Sequence, residues 1–483
     1  MPTLKNLARP RSIAPALLAL MCGAVYGQSS TASYNGLHAI VGVKIVIGDG
    51  RVIEKGTVVI RDGQIVAVAA DAATPRGADV LDGKGLTVYP GFIDAFTTKG
   101  FTAPPANNKP DPDLNVADFA SAFMRETVRK GIAPEIRAVD SLGITDEVLK
   151  PYQSAGFTTV LVAPGGNDMS GVAALVNLSG RPTRECVVRD NIGQSIGFGA
   201  SRWGGGYPSS LMGHIAQLRQ TFLDAQWFRS VEKSFQAGGS KRPPIDPSLI
   251  ALQPVISGKL PVVFDADSEG QVERALDICS EFGLKPIIAG ATEGWRQLDA
   301  IKKSSAPVLL SLAFGKEPKD SAPNAKSTTP PAADVKPETP PATEPPPFPE
   351  NPAKLAEQLR LYRETLKNPA LIVGAGIPVA FSTKGTKTPA EFMENLRKAV
   401  AAGLTSDAAL RALTIDAAKI FGVERQLGTI EAGKIATVIV MTGDFLDAKT
   451  KVKMLYIDGR KIDPAKTVPP ATPKFRFDAE GAN

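Results

Sequence analysis

Histidine is nearly absent from this sequence: 483 residues contain only His38 and His214. Imidazole is the commonest metal-binding side chain, so a metal centre built on histidines is short of donors from the outset. Cysteine is almost as scarce. Of three, Cys22 lies in an N-terminal segment expected to be removed, and Cys186 and Cys279 cannot form a disulfide framework. Two buried thiols is the simpler reading, and a single bridge in an oxidising compartment is the alternative. Clusters of Lys and Arg interleaved with aromatics are also missing, which argues against a nucleic-acid surface. Beyond the first 27 residues no apolar run approaches the roughly 20 residues that span a bilayer.

What is present at the N-terminus reads as an export signal. Lys5, Arg9 and Arg11 precede an apolar stretch at 13–25, and Val25 and Gly27 flank Tyr26 as small residues at a cleavage site. Residues 1–27 are therefore expected to be removed, which lowers the net charge from +6 to +3. Cys22 raises lipid anchoring as the lesser possibility, because Met21 before it is large for a lipobox. The expected location is periplasmic or extracellular.

The full chain has 43% hydrophobic residues, ample for a large core. Residues 38–47, 57–61 and 64–69 read as strands, with turns at Gly48-Asp49-Gly50 and Asp62-Gly63. A second β-rich stretch covers 436–441 and 452–457, with a turn at Asp458-Gly459. Between them, short apolar strands at 158–162, 261–264, 286–288, 307–312 and 378–382 alternate with helical patterns that include 270–282, 292–303 and 389–402. Such alternation implies parallel βαβ units. Residues 316–352 are rich in Pro, Ala, Thr, Glu and Lys, and are expected to be a disordered insertion. Residues 465–483 read as a flexible tail.

Three stretches carry a family likeness. They are VYPGFIDA at 88–95, GFTTVLVAPGGN at 156–167, and residues 407–443 with LGTIEAGK at 427–434. Together they resemble the amidohydrolase superfamily, nearest its imidazolonepropionase- and prolidase-like branch. The resemblance implies a (β/α)₈ TIM barrel over 91–423. It also implies a small composite β-sandwich built from 36–90 and 424–464.

It further implies one or two divalent metals, zinc or another, at the carboxyl rim of the barrel. Such an ion would activate a bound water and polarise the scissile carbonyl. The ligands of that pattern are substituted in this chain. Phe96 and Thr98 stand where a His-x-His pair belongs, and Ala289 stands at the strand-6 position. Asp265, Ala266 and Asp267 occupy the strand-5 run, and Lys384 replaces the strand-8 Asp. The strand-4 residue has no clear counterpart; Ser201 and Arg202 mark the region. On this basis no cofactor is expected. An all-carboxylate site from Asp94, Asp265 and Asp267 is the alternative.

Alternate residues of a strand share a face, so Asp265 and Asp267 point together and Ala266 points away. Lys384 on the closing strand is expected to stand in for the cation and pair with one of them; a solvated rim lysine is the alternative. Asp94 and Asn167 are further candidates for contacting a ligand. The loop 204–210 lacks a phosphate-loop lysine, and Ser209, Ser210 and Ser382 lack a nucleophile elbow. His38 and His214 are read as ordinary polar residues. Two functions follow from these features. One is a pseudoenzyme that binds a small ligand or pairs with itself or an amidohydrolase relative. The other is a hydrolase of C–N bonds with an atypical or absent metal.

Overall fold

The computed structural model describes residues 36–102, 131–198, 210–243, 245–318 and 352–465. The expected export signal within residues 1–35, Ser201, Arg202, residues 204–209, residues from 466 and nearly all of residues 316–352 lie outside the described residues.

The N-terminal part supplies β1 (Leu37–Val46), β2 (Val52–Arg61), β3 (Gln64–Ala69), β4 (Asp79–Asp82) and β5 (Thr87–Pro90). The barrel strands follow: β6 (Phe92–Thr97), β7 (Phe157–Val162), β8 (Met169–Asn177), β9 (Val187–Gly197), β10 (Val262–Ala266), β11 (Pro286–Gly290), β12 (Val308–Ser311) and β13 (Val379–Ser382). The chain ends with β14 (Val438–Met441), β15 (Val452–Ile457) and β16 (Arg460–Ile462).

One eight-stranded sheet joins both ends of the described chain. Its order is β16-β15-β14-β5-β1-β2-β3, with β4 on β1. The antiparallel pairing of β14 with β5 makes the join, Val438 opposite Pro90 and Met441 opposite Thr87. Ile40, Ile45, Val58, Ile60, Val438 and Tyr456 form its core. Asp62 and Gly63 both have positive φ, as do Asp458 and Gly459. The twisted two-residue hairpin demands that conformation, and the Asp-Gly pair supplies it at low cost.

The second sheet runs β13 through β6 in order and curls into a nearly closed barrel, with β13 alongside β6. Strands β6–β7 and β9 to β13 pair in parallel. Strand β8 is antiparallel to both neighbours. The cause is chain length: only residues 163–168 connect β7 to β8, and a parallel return needs a dozen or more. Simple strand–helix alternation did not anticipate this reversal.

Helices cover the outside, among them Asp146–Ser154, Leu211–Gln236, Glu269–Phe282, Pro352–Gly374 and Pro389–Ala401. The helix Glu269–Phe282 starts in a capping box, Ser268 with Gln271, and ends at Gly283 in the left-handed region. The helix read at 292–303 divides into a turn at Gly294–Arg296 and a helix at Leu298–Ser304. Among the described residues no helix is long and apolar enough to cross a membrane.

Inside the barrel, Ile93, Leu161, Val263, Ile287 and Leu309 pack as a lower layer, closed below by Ala417, Ala418 and Phe421. Ala95, Ala163, Ala173, Ala289 and Ala380 belong to the same cluster, and Phe96 packs with them. The register shift between Asp94 and Thr97 in β6 accompanies the inward placement of Phe96.

Candidate functional site

Residues 383 and 384 follow β13, and their side chains go opposite ways. Lys384 turns into the barrel mouth, where its Nζ is bonded to Asp265 and lies 2.6 Å from Asp267 Oδ2. Asp265 shares the inward face of β10 with Val263, and Asp267 follows just past the strand. The lysine side chain is 16% exposed, the two carboxylates 43% and 46%. Gly290 makes room for the group. A Cβ there would overlap Asp267 Oδ1 and come within 2.8 Å of Lys384 Nζ.

Burial alone would lower the Lys384 ammonium; the Asp265 and Asp267 charges outweigh it and raise it. Asp265 is pushed above the usual carboxylate range by burial, and the neighbouring Asp267 adds to the rise against the pull of Lys384. Two carboxylates on one ammonium leave the cluster with surplus negative charge, a smaller contribution to the Asp265 shift than its burial.

Asp94 does not join this group. It is completely buried and pairs along the wall with Val160, on the side facing the helices. Its Oδ1 accepts from the Thr383 backbone N–H at 2.8 Å and from the Phe96 N–H at 3.3 Å, and its Oδ2 accepts from the Thr383 hydroxyl at 2.6 Å. The Thr383 oxygen lies 2.9 Å from the hydroxyl of Tyr152, which lies 3.0 Å from Thr97 Oγ1. These bonds tie β6 to the end of β13 across the seam. Burial raises the Asp94 pKa to about 6, against the lowering effect of the Thr383 donors. The all-carboxylate grouping of Asp94 with Asp265 and Asp267 is therefore not assembled.

Phe96 and Ala289 lie in the interior cluster, and Thr98 is exposed beside Gly165. Asn167 holds the loop after β7 through its backbone: its N–H donates to Ser170 Oγ, which donates back to the Asn167 carbonyl. Ser382 Oγ is buried without a hydrogen-bond partner among the described residues, on the inward face shared with Ala380 and Lys384. Ser210 caps the helix Leu211–Gln236 by accepting from the Gly213 N–H.

A second polar pair is one that no sequence motif announces. His214, in the first turn of that helix, lies with Nδ1 2.7 Å from Asp168 Oδ2. Asp168 is 2% exposed and the imidazole 16%. The Asp168 carbonyl accepts from Gly197 N–H at 2.9 Å, and a Cβ on Gly197 would lie 3.7 Å from Asp265 Cβ. His214 Nε2 makes no hydrogen bond among the described residues. The partners are 46 residues apart, and only the adjacency of Asp168 to the GGN loop hinted at the rim. His38 lies in the composite sheet, with Nδ1 3.3 Å from Asp79 and its ring edge-on to Tyr456. Cys186 and Cys279 are buried free thiols. A cavity of about 590 Å³ lies at the opposite end of the barrel, near Pro307 and Pro378. Its Arg411 is paired with Asp416.

The geometry defines an α/β barrel with a composite sheet and a polar cluster at the barrel mouth. Residues 353–462 match the model of the amidohydrolase family. A stretch of the chain thus matches that family's model, and the solved structures below share its barrel fold. The dihydroorotase of Mycobacterium tuberculosis is 31% identical over 107 residues, which is 22% of this chain and 24% of the relative. The matched stretch thus spans about a quarter of that curated relative. An amidohydrolase from Thermotoga maritima MSB8 superposes with a TM-score of 0.68 at 21% identity, over 88% of this chain and 99% of that one. A Xaa-Pro dipeptidase with bound methionine gives 0.50 at 13% identity, covering 88% and 100%.

These findings correct the expectation of no cofactor. Amidohydrolase relatives normally use divalent metals, so the family match makes metal content a quantity to be measured in this chain. The described side chains do not, however, fit the family's usual site. Among the described residues no group of three or more His, Cys, Asp or Glu gathers to hold an ion. Phe96 and Ala289 offer no donor, Asp94 is engaged at the seam, and the Lys384 ammonium lies between Asp265 and Asp267.

Proposed function

We propose that this chain is an exported protein of amidohydrolase fold that works by binding a small molecule at its barrel mouth rather than by metal-dependent hydrolysis. The observation that carries the reading is the contact of Lys384 with both Asp265 and Asp267. The Lys384 ammonium takes up one oxygen of each carboxylate and opposes a divalent ion about twice as strongly as a singly charged one. Phe96, packed among alanines, supports the same reading by filling interior volume. Self-association or pairing with an amidohydrolase relative is a compatible role for the rest of the surface. Export rests on the pattern of residues 1–27.

The test is to purify the mature form, measure bound metal by elemental analysis, and assay C–N hydrolysis with and without added zinc or manganese. Small-molecule binding without turnover is the expected result. Stoichiometric metal with turnover overturns the reading.

A second reading, hydrolysis of C–N bonds, is favoured by the Asp168–His214 pair. A buried carboxylate orienting an imidazole with the other ring nitrogen unbonded suits proton transfer. Turnover abolished in His214→Gln would support it.

A further inference from the structure

We propose that the barrel mouth is a subsite for a protonated amine, taken up by Asp265, Asp267 and Ser382. The inference rests on the binding reading above and names the ligand's chemistry. It starts from charge. Lys384 neutralises only one of the two carboxylates it touches, and both carboxylates keep close to half of their surface in solvent. Lys384 engages one oxygen of each, Asp265 Oδ1 and Asp267 Oδ2. The other oxygens remain as acceptors for a cation that brings its own hydrogens.

An independent observation comes from β13, on the inward face that carries Lys384. Ser382 is fully buried, and among the described residues its hydroxyl has no partner. It sits two residues before Lys384 on the inward face of β13 and is paired in register with Ser311. The Ser311 hydroxyl donates to the Lys384 carbonyl at 2.6 Å, so Ser382 alone of this pair is left with an unanswered hydroxyl. A buried hydroxyl without a partner costs free energy unless a ligand or water answers it.

An ammonium suits this set better than a bare metal ion. It donates up to three hydrogen bonds, and its charge is spread over N–H groups that share carboxylates with Lys384 as lysines do. A neutral or anionic ligand would leave the surplus negative charge unanswered.

The experiment is titration calorimetry on the mature chain, using n-butylamine and L-alaninamide as probes and n-butanol and butyrate as controls. The amines are expected to bind, and the controls to give no heat up to about 10 mM, the range of weak single-contact binding. Asp267→Asn should weaken the amines by about tenfold, and Ser382→Ala by several-fold. Ser382→Ala removes one oxygen from a small buried residue, so it keeps the test sound should Asp267→Asn fold poorly; circular dichroism checks both. Equal binding of butanol or butyrate, absence of amine binding, or amine affinity unchanged in both variants would overturn the proposal. Failure here is distinguishable from failure of the binding reading. A neutral or acidic compound that raises the melting temperature without being hydrolysed would leave that reading standing while sinking the amine subsite.

Discussion

Thr383 and Lys384 are consecutive, yet they serve two carboxylate sites with opposite surroundings. At the seam, Thr383 gives Asp94 two hydrogen bonds in complete burial. At the mouth, Lys384 meets two half-exposed carboxylates. Strand alternation alone separates them. The seam carboxylate is neutral-tolerant and structural: its donors hold β6 to β13 where the barrel closes. The mouth carboxylates are partly solvated and only partly neutralised, which suits exchange with a ligand. The contrast teaches that a carboxylate's role here follows from which side of the wall it faces, not from its position in a motif.

The largest effect is expected at the seam. Asp94→Ala strips three N–H and O–H donors of their acceptor inside the core and should cost about 3 kcal/mol in denaturant unfolding. A loss below about 0.5 kcal/mol, the range of ordinary surface changes, would erase the distinction between the two sites.

The pH dependence comes next. Asp94 is held near 6 when folded, against an unfolded value of 3.8. A raised carboxyl pKa contributes stability that is fully present below 3.8 and is lost as pH rises through about 6. The size is about 2–3 kcal/mol, since each tenfold change in proton affinity corresponds to about 1.4 kcal/mol. Comparing unfolding at low and neutral pH, Asp94→Asn should flatten that part of the profile. An unchanged slope would place the titration elsewhere.

At the mouth, Lys384→Met should cost less, about 1–2 kcal/mol, because solvent already screens the two carboxylates left facing each other. A cost as large as that of Asp94→Ala would mean the mouth cluster is a buried structural element after all.

Much of this arrangement was readable in the sequence. The strands of both chain ends follow from alternating residues and Asp-Gly turns, while their joining into one composite element and the barrel were what the family likeness of 88–95, 156–167 and 407–443 implied. The grouping of Asp265 and Asp267 on one face needs only the two-residue period of a strand. Two features needed the fold itself. Asp94 sits in a family-like motif, but the pairing of β6 with β7 and the shift before Thr97 turn its carboxylate to the helices. The Asp168–His214 pair is made by a helix returning over the rim from 46 residues away. No local pattern encodes that return, so His214 read as an unremarkable helical residue. The reversal of β8 was concealed for a related reason: apolar runs do not state their direction, and only the short connection before it decides.

The most direct measurement is a double-mutant cycle on unfolding free energy between Lys384→Met and Asp267→Asn. A coupling of about 1 kcal/mol or more is predicted, because the ammonium and the carboxylate act as one unit. Strictly additive losses would show that Lys384 is a solvated rim residue, and the account of the mouth would fail.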